Sequence, residues 1–133
     1  MDWSVDPGAD RPPSRQIVAI LLDAVARGEL DAGAQLPSVR QLAAQALVNH
    51  NTAARAYRDL EQMGVVRGKN GLGVFVTSEG PRLAREARRA ETLREFARVA
   101  NEALRSGHEA RALAAVLVKV AKKLPSSSER KSA

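Results

Sequence analysis

Residues 36–76 decide the fold of this chain. They read LPSVRQLAAQAL at 36–47, VNHNTAARAYRDLEQMG at 48–64 and VVRGKNGLGVFV at 65–76. Ser38 lies three residues before Gln41, and a Ser-x-x-Gln pair is typical of a capping box, in which each side chain bonds to the backbone of the other residue. Val39, Leu42, Ala43 and Ala46 then recur at helical spacing. The first segment therefore predicts a short helix that needs neighbours to be stable.

The middle segment predicts a second helix. Asn49 can cap its first turn, and Gly64 ends it at a position where a left-handed residue is favoured. Its apolar face carries Ala53, Ala56, Tyr57, Leu60 and Met63. The opposite face carries Asn51, Arg55, Arg58 and Gln62. Because Asn, Gln and Arg side chains read base edges in the major groove, this face favours a DNA-recognition helix over an ordinary solvated one.

The third segment predicts a two-stranded hairpin. Val65-Val66 and the run at 74–76 are β-branched or aromatic, and Asn70-Gly71 is a turn dipeptide because both residues tolerate positive φ. Arg67 and Lys69 place positive charge near the tip. A glycine-rich phosphate loop is the alternative, but such a loop opens into a helix, whereas this one opens into a strand. The whole stretch thus predicts a helix-turn-helix with a wing.

These segments resemble the DNA-binding domain of the GntR family of bacterial transcription regulators. Residues 36–43 match its Leu-Pro-Ser-x-Arg-x-Leu-Ala pattern, residues 48–64 its recognition helix, and residues 71–76 its wing. The Asn-x-Asn-Thr and Arg-Ala-Tyr forms, with a short C-terminal segment, are most similar to the YtrA subgroup. The resemblance covers residues 3–76. Leu47 stands where the family usually has Gly, and His50 where it usually has Pro.

The polar helix face and the resemblance together imply contact with double-stranded DNA. The residues expected to make that contact are Ser38, Arg40, Asn49, His50, Asn51, Thr52, Arg55, Arg58, Lys69, Asn70 and Gly71. The resemblance also implies a short first strand at residues 3–5, added to the wing sheet. It implies, too, that the C-terminal segment forms a dimer.

Composition supports a DNA partner. The chain has 133 residues and a formal net charge of +6, with five basic and two acidic side chains in residues 38–78 against three and six in residues 1–37. A basic winged segment behind an acidic leader suits a protein that presents one face to DNA. There is no cysteine, and neither a bilayer-spanning apolar run nor a signal peptide is evident. We expect a cytoplasmic protein without a membrane partner.

The N-terminal region predicts a scaffold helix. Pro12-Pro13-Ser14 begins it, with Ser14 as the expected N-cap, and Gly28 ends it. Its apolar face carries Ile17, Ile20, Leu21, Ala24 and Val25. A polar loop at residues 31–35 follows. We expect this helix to hold the helix-turn-helix pair without reading bases.

The C-terminal region predicts two more helices, at residues 81–105 and 109–124, separated by Ser106-Gly107. Two helices cannot bury their apolar faces alone, so they must pack on the winged domain or on a second copy of the chain, and of these we predict a homodimer. The residues expected in that seam are Leu83, Ala87, Ala90, Leu93, Phe96, Ala97, Ala100, Leu104, Leu113, Leu117 and Val120. The predicted fold is mainly α with a small β-wing: a winged helix-turn-helix at 1–78, a dimerisation segment at 79–124 and a disordered tail at 125–133.

Catalytic chemistry is not indicated. His50 and His108 have no metal-ligand partner at helical spacing, and Asp59 and Glu61 do not form an acid–base pair in a pocket. We therefore expect no enzyme activity, metal or cofactor. Two C-terminal helices offer too few walls for a buried-ligand domain, since such cavities measure roughly 300–1,000 Å³. A binding site for a small-molecule effector at the dimer interface remains an alternative.

The function that these patterns favour is a sequence-specific transcription regulator, a repressor that binds an inverted-repeat operator as a homodimer. One alternative is a non-specific, nucleoid-type DNA-binding protein, against which the amide-rich recognition face argues. Another is a protein-interaction module built on a winged helix. A basic recognition helix argues against that second alternative.

Overall fold

The computed structural model describes residues 1–125. Within them, the chain forms α1 (Pro13–Ala26), β1 (Gln35–Leu36), α2 (Val39–Ala46), α3 (His50–Gln62), β2 (Val66–Lys69), β3 (Gly73–Val76), α4 (Gly80–Arg105) and α5 (Ala110–Lys122). Most of the tail predicted to be disordered, residues 126–133, lies outside the described part. The first compact unit is Met1–Arg88, and a second begins at Arg89. The first unit thus extends past the boundary predicted at residue 78.

The core of the first unit is aliphatic and joins α1, α2 and α3. Ile17, Leu21 and Val25 come from α1, Leu42 from α2 and Leu60 from α3, and each is completely or almost completely buried. Burial of one such side chain contributes about 1.5–3 kcal/mol. The helix pair predicted to carry the DNA-reading face is therefore fixed on α1 by its largest apolar residues, as expected of a helix that holds the pair.

The start of α1 differs from the prediction. Ser14 is not the N-cap, because Pro12 occupies that position without a side-chain hydrogen bond and Pro13 is the first helical residue. Proline suits that first position, since its fixed φ matches the helix and it has no N–H to leave unsatisfied. Ser14 is instead inside the helix and only 7% exposed. The predicted end is confirmed, with Gly28 at φ 84° after the C-cap.

The wing is part of a three-stranded antiparallel sheet with the order β1-β3-β2. Val66 pairs with Val76 and Lys69 with Gly73 on one side of β3, while Gln35 pairs with Phe75 on the other. The loop therefore contains residues 70–72, closed by the hydrogen bond from Leu72 N to Lys69 O at 2.9 Å. Only Gly71 in it has a positive φ, at 73°. Asn70 does not adopt the positive φ that it tolerates.

The third strand is Gln35–Leu36, and the strand predicted at residues 3–5 is absent. The polar groups around that segment bond elsewhere: the Asp2 carboxylate accepts from the backbone and hydroxyl of Ser4, and Asp6 exchanges two hydrogen bonds with the Gln16 amide. Trp3 is buried in the core at 4% exposure. The N-terminal segment is therefore held by the buried Trp3 ring and by hydrogen bonds to α1. The strand that the family resemblance implied at residues 3–5 does not form.

The first turns of α4 belong to the first unit. Ala84 is fully buried, and Leu83 and Ala87 are half-buried against the same core. Gly80 begins the helix where a Cβ atom would lie 2.8 Å from both Val65 O and Val76 Cγ1, so no larger residue fits without a shift. Two residues of the predicted dimer seam, Leu83 and Ala87, thus pack within their own chain.

The second unit has little interior of its own. No residue of α5 is buried, and the distal half of α4 is also exposed except for half-buried Ala100 and Ala103. Arg98 pairs with Glu95 and, at 3.0 Å, with Glu102. Among residues 1–125, no helix combines the length and the apolar character needed to cross a membrane.

Candidate nucleic-acid interface

The start of α2 is fixed by the predicted capping box. Ser38 Oγ accepts from the backbone N–H of Gln41 at 3.1 Å, and Gln41 Oε1 accepts from the backbone N–H of Ser38 at 2.9 Å. The two bonds satisfy donors that a helix N-terminus leaves free. Arg40 lies in this first turn and is exposed. The cap thus holds the backbone that carries Arg40.

The start of α3 is capped by Asn49, also as predicted. Its side-chain oxygen accepts from the backbone N–H of Thr52 at 2.8 Å. Its amide nitrogen makes no hydrogen bond to any other residue in 1–125, so both of its N–H groups remain donors. His50 and Asn51 are exposed beside it, and Thr52 is half-buried. Four of the predicted contact residues are therefore gathered at one helix end.

Leu47 closes the turn between α2 and α3. It has a left-handed backbone with φ 55° and a side chain that is 91% exposed. Its N–H bonds to Ala44 O at 3.4 Å, and the next N–H, of Val48, bonds to Ala43 O at 3.0 Å. The turn thus has the geometry that a glycine usually supplies. For an L-residue this conformation costs roughly 1–2 kcal/mol.

The polar face of α3 is positively charged and is not neutralised from within the described chain. Arg40, Arg55 and Arg58 are exposed, and none of them forms a salt bridge with another residue in 1–125. Some arginines elsewhere pair, such as Arg27 with Asp23 at 2.9 Å and Arg82 with Glu79 at 2.7 Å, whereas Arg67 and Arg85 also lack a salt bridge in the described chain. On an ordinary solvated helix face, charged side chains often form ion pairs with near neighbours, as Arg27 and Arg82 do. The unpaired arginines create a surface that favours a polyanion.

Tyr57 fixes the opposite face of α3. Its hydroxyl donates to Pro37 O at 2.5 Å, and burial raises the pKa of the phenol above its ordinary value. The neutral phenol therefore persists as the donor. Ala53, Ala56 and Leu60 share this buried face, whereas Met63, predicted to belong to it, is exposed. The contact ties the recognition helix to the chain immediately before α2, so the two predicted DNA-contacting helices have one fixed arrangement.

The tip of the wing carries the three remaining predicted residues. Lys69, Asn70 and Gly71 are all exposed. The Lys69 Nζ atom lies 5.0 Å from the centroid of the Phe75 ring, which is within the range of a cation–π contact. The charge at the tip is thus held near the sheet and is still open to solvent.

Sequence reasoning missed a cleft beside the start of α1. It measures about 400 Å³ and is lined by Ser14, Arg15, Arg55, Asp59 and Gln62, among others. Because Pro12 gives no side-chain cap, the backbone N–H groups of Ser14 and Arg15 are free donors. The cleft thus combines a positive helix N-terminus and two arginines with one carboxylate, that of Asp59. The signal was present in the Pro-Pro-Ser-Arg run, but α1 was assigned to the scaffold alone.

In the part of the chain that the structure describes, no three His, Cys, Asp or Glu side chains are grouped so that they could hold a metal ion. The arrangement at α2, α3 and the wing offers amides, hydroxyls and guanidinium groups. These groups donate hydrogen bonds to base edges and phosphates.

Comparison with known proteins agrees with this geometry. The family described as "Bacterial regulatory proteins, gntR family" matches residues 13–76. The chain is 38% identical over 100 residues to the HTH-type transcriptional regulator Rv1152 of Mycobacterium tuberculosis, covering 74% of this chain and 80% of that one. It is 33% identical over 73 residues to the HTH-type transcriptional repressor YtrA of Bacillus subtilis, covering 55% of this chain and 56% of YtrA.

The fold also matches a solved structure over most of its length. A GntR family transcriptional regulator from Listeria monocytogenes superposes with a TM-score of 0.73 at 26% identity, covering 86% of this chain and 98% of the other. The similarity includes residues beyond the winged domain.

Proposed function

Because this chain belongs to the GntR family of bacterial regulatory proteins and is a DNA-binding transcription regulator, we propose that it is a repressor which binds an inverted-repeat operator as a homodimer. The observation that carries the proposal is the fixed face of α2 and α3. Its arginines, Arg40, Arg55 and Arg58, have no carboxylate partner among residues 1–125. A repressor acts where the chromosome is, which supports the cytoplasmic location expected from the sequence.

Base reading is assigned to the first turns of α2 and α3. The N-terminal residues of a recognition helix contact base edges when the helix lies in the major groove. Asn49 and Asn51 offer side-chain amides there, and Thr52 offers a hydroxyl and a methyl group. Arg40 is exposed in the first turn of α2, and its planar guanidinium suits the O6 and N7 atoms of guanine.

Phosphate contacts are assigned to the groups around this centre. Arg55 and Arg58 continue the exposed face along α3, and Ser38 retains its hydroxyl proton as a donor while its oxygen caps α2. His50 lies between the two amide residues. Such contacts fix the register of a protein on the duplex without reading sequence.

The wing is assigned to the DNA backbone or the adjacent minor groove. Gly71 has no side chain, and its left-handed conformation makes a compact tip that approaches a narrow groove closely. Lys69 and Asn70 supply one charge and one amide beside it. The predicted sites at the wing and at α3 would then act on neighbouring parts of one duplex.

Homodimerisation is assigned to the second unit. Leu93 is 69% exposed, and Phe96, Leu104, Leu117 and Val120 are each about half exposed. Exposed apolar surface on this scale marks an interaction site. On α5, exposed Val116 borders the face formed by the predicted seam residues and extends that apolar face by one residue. Two copies supply four helices, which is enough to enclose it.

The proposed seam is smaller than the sequence predicted. Leu83 and Ala87 are already packed on the core of the first unit. The nine that remain are Ala90, Leu93, Phe96, Ala97, Ala100, Leu104, Leu113, Leu117 and Val120. A two-fold dimer built on them would present two recognition helices to inverted half-sites. The repressor role follows the same logic, since a dimer occupying a promoter blocks it, and the similar YtrA is named a repressor.

Genome-wide mapping of bound DNA, followed by affinity measurement, tests the proposal. We expect the bound regions to share an inverted repeat, and the chain to bind it at least about a thousandfold more tightly than scrambled DNA of the same length. Removing the chain from cells should raise transcription next to that site. Equal affinity for both DNAs would instead favour the nucleoid-type alternative. No DNA binding at all would favour the protein-interaction module.

A further inference from the structure

An open groove of about 700 Å³ lies along the outward face of the wing sheet, between the loop at residues 32–33 and the first turns of α4. Strand pairing places Arg67 directly opposite Phe75, and Lys69 follows two residues after Arg67 on the same face. The other sheet face is turned to the core, where Val66 and Val76 are buried. None of the groove residues except Lys69 has been assigned to DNA contact.

The charge of the groove is positive and locally unbalanced. Arg67 makes no salt bridge with any residue from 1 to 125, and Lys69 contacts the Phe75 ring rather than a carboxylate. One carboxylate, that of Glu79, lines the groove, and it is already bound by Arg82 at 2.7 Å. Two cations are therefore available to an anion, with no free carboxylate among the lining residues to repel it.

The floor of the groove is apolar. Phe75 and Leu83 are half-buried in it, so each leaves part of its side chain open to an occupant. The Ser78 hydroxyl is exposed and makes no hydrogen bond within the described chain, while the neighbouring Thr77 hydroxyl is used by Gly64 O at 2.6 Å. Apolar walls with a few convergent polar groups, at this volume, are typical of small-molecule sites.

We propose that this groove binds an amphipathic organic anion. Its carboxylate or phosphate group lies between Arg67 and Lys69, and its aromatic or short aliphatic body lies on Phe75 and Leu83. Because Lys69 also belongs to the wing tip, an occupant neutralises that charge and weakens DNA binding. This consequence rests on the proposed DNA contact of Lys69, whereas binding of the anion itself does not.

The test uses phenyl phosphate as the probe and the full-length chain without DNA. NMR titration of backbone amides should show saturable shifts at Arg67, Phe75, Thr77 and Leu83, with a dissociation constant of about 1 mM for a ligand of this size in an open site. Inorganic phosphate, which lacks the ring, and benzyl alcohol, which lacks the charge, should each bind more weakly.

Three variants locate the site. Arg67→Gln should weaken phenyl phosphate binding about tenfold, as for one charge-assisted contact, and Phe75→Leu about three- to tenfold. Arg85→Gln makes the same charge change on an exposed part of α4 outside the groove and should leave binding unchanged. The dispersion of the spectrum without probe shows whether each variant is folded.

Shifts scattered over all basic residues, or equal responses to inorganic phosphate and phenyl phosphate, would overturn the proposal. So would shifts confined to α5, which would mean that the probe binds the exposed apolar surface of the second unit. The DNA arm is read separately: saturating phenyl phosphate should lower operator affinity in the wild type but not in Lys69→Ala. If the probe binds in the groove and operator affinity does not change, the anion site is supported and the proposed DNA contact of Lys69 is wrong.

Discussion

Leu47 shows how a single residue departs from what its turn requires. Its left-handed backbone, at φ 55°, is a conformation that glycine adopts freely and leucine rarely does. Its side chain is almost entirely exposed, so no buried contact compensates for the strain. The turn keeps its geometry because buried residues on α2 and α3, such as Leu42 and Ala53, hold both helices.

Leu47→Gly should therefore raise the free energy of unfolding by about 1 kcal/mol, the backbone strain less the greater flexibility of glycine in the unfolded chain. Urea denaturation at matched slope measures it. Leu47→Ala is the matched control, because it removes the exposed side chain and keeps the strained Cβ atom, and it should change stability little. Equal stabilisation by both variants would attribute the effect to the exposed leucine side chain.

Arg40 is the residue that we expect to discriminate most between sequences. Arg40→Ala should cost about 1–3 kcal/mol of binding free energy at the operator and much less on random DNA, since a guanine contact is lost in one complex only. Fluorescence anisotropy with the two DNAs measures both. Arg85→Ala, another exposed arginine without a salt bridge in the described chain, serves as the control. An equal loss on both DNAs would show that Arg40 touches only phosphate.

At the residue scale, the sequence predicts a residue's role correctly where that residue bonds to backbone groups close to it in the chain. The caps Ser38 and Asn49 and the helix-ending Gly64 are confirmed, because each acts on a backbone group within a few residues. Ser14 was assigned wrongly because two prolines precede it and shift the helix start. The unpaired state of the arginines was not predictable, since it depends on which carboxylates the fold brings near.

At the scale of elements, the helices were predicted well and the third strand was not. Long segments with a 3.6-residue period leave a clear pattern, whereas β1 has two residues and no detectable alternation. Gln35 and Leu36 become a strand because β3 offers them a free edge. Residues 3–5, expected to add a strand to the wing sheet, are instead held by the burial of Trp3 and by hydrogen bonds between Asp6 and Gln16.

Tyr57 links two elements through one bond. Its hydroxyl donates to Pro37 O, so Tyr57→Phe should lower the free energy of unfolding by about 1–2 kcal/mol by leaving that carbonyl without its donor. Urea unfolding followed by Trp3 fluorescence measures the loss. Tyr57→Leu, which removes the ring as well, should cost more. No change in Tyr57→Phe would mean that water replaces the hydroxyl.

The same residue predicts a pH dependence. Burial raises the pKa of Tyr57 above its ordinary value of 10.0, so the folded chain binds a proton that the unfolded chain releases. Its contribution to stability is complete below the pKa of the unfolded chain, 10.0. It is lost as the pH rises from there through the raised pKa of the folded chain. Because the chain has one tyrosine, tyrosinate absorbance reports it alone. Ionisation near pH 10 in the folded chain would contradict the buried bond.

The wing is testable as a unit. Lys69→Ala should weaken binding similarly for all DNA sequences and reduce the slope of log affinity against log salt by about one, as expected for one lost phosphate contact. Titrations at several salt concentrations measure the slope. Arg85→Ala should leave it unchanged. An unchanged slope in Lys69→Ala would remove the wing tip from the interface.

At the scale of the whole molecule, sequence could predict that the C-terminal helices have unmet apolar surface but not which residues it comprises. Leu83, Ala84 and Ala87 recur at the same spacing as the exposed residues after them, yet they pack on the core of the first unit. Periodicity reports that a residue is apolar and not which chain covers it. The boundary therefore moves from residue 78 to Arg88, and the proposed seam moves with it.

A single substitution should break that seam while leaving the first unit intact. Leu93→Asp or Leu117→Asp would place an unpaired charge in the dimer interface and cost about 3 kcal/mol of dimerisation free energy. We expect a monomer with a folded winged domain. Arg111→Asp puts the same charge on the polar side of α5 and should remain dimeric.

Dimerisation through the second unit is tested by sedimentation of the full chain and of a chain truncated after Arg88, with operator affinity measured on the same samples. The full chain should sediment at twice its mass of 14.3 kDa and bind the inverted repeat tightly. The truncated chain should be folded, monomeric and weak on the operator, because it keeps the core and the reading face and loses the second unit. A truncated chain that remains a dimer with full operator affinity would contradict the account, since the interface would then lie within residues 1–88.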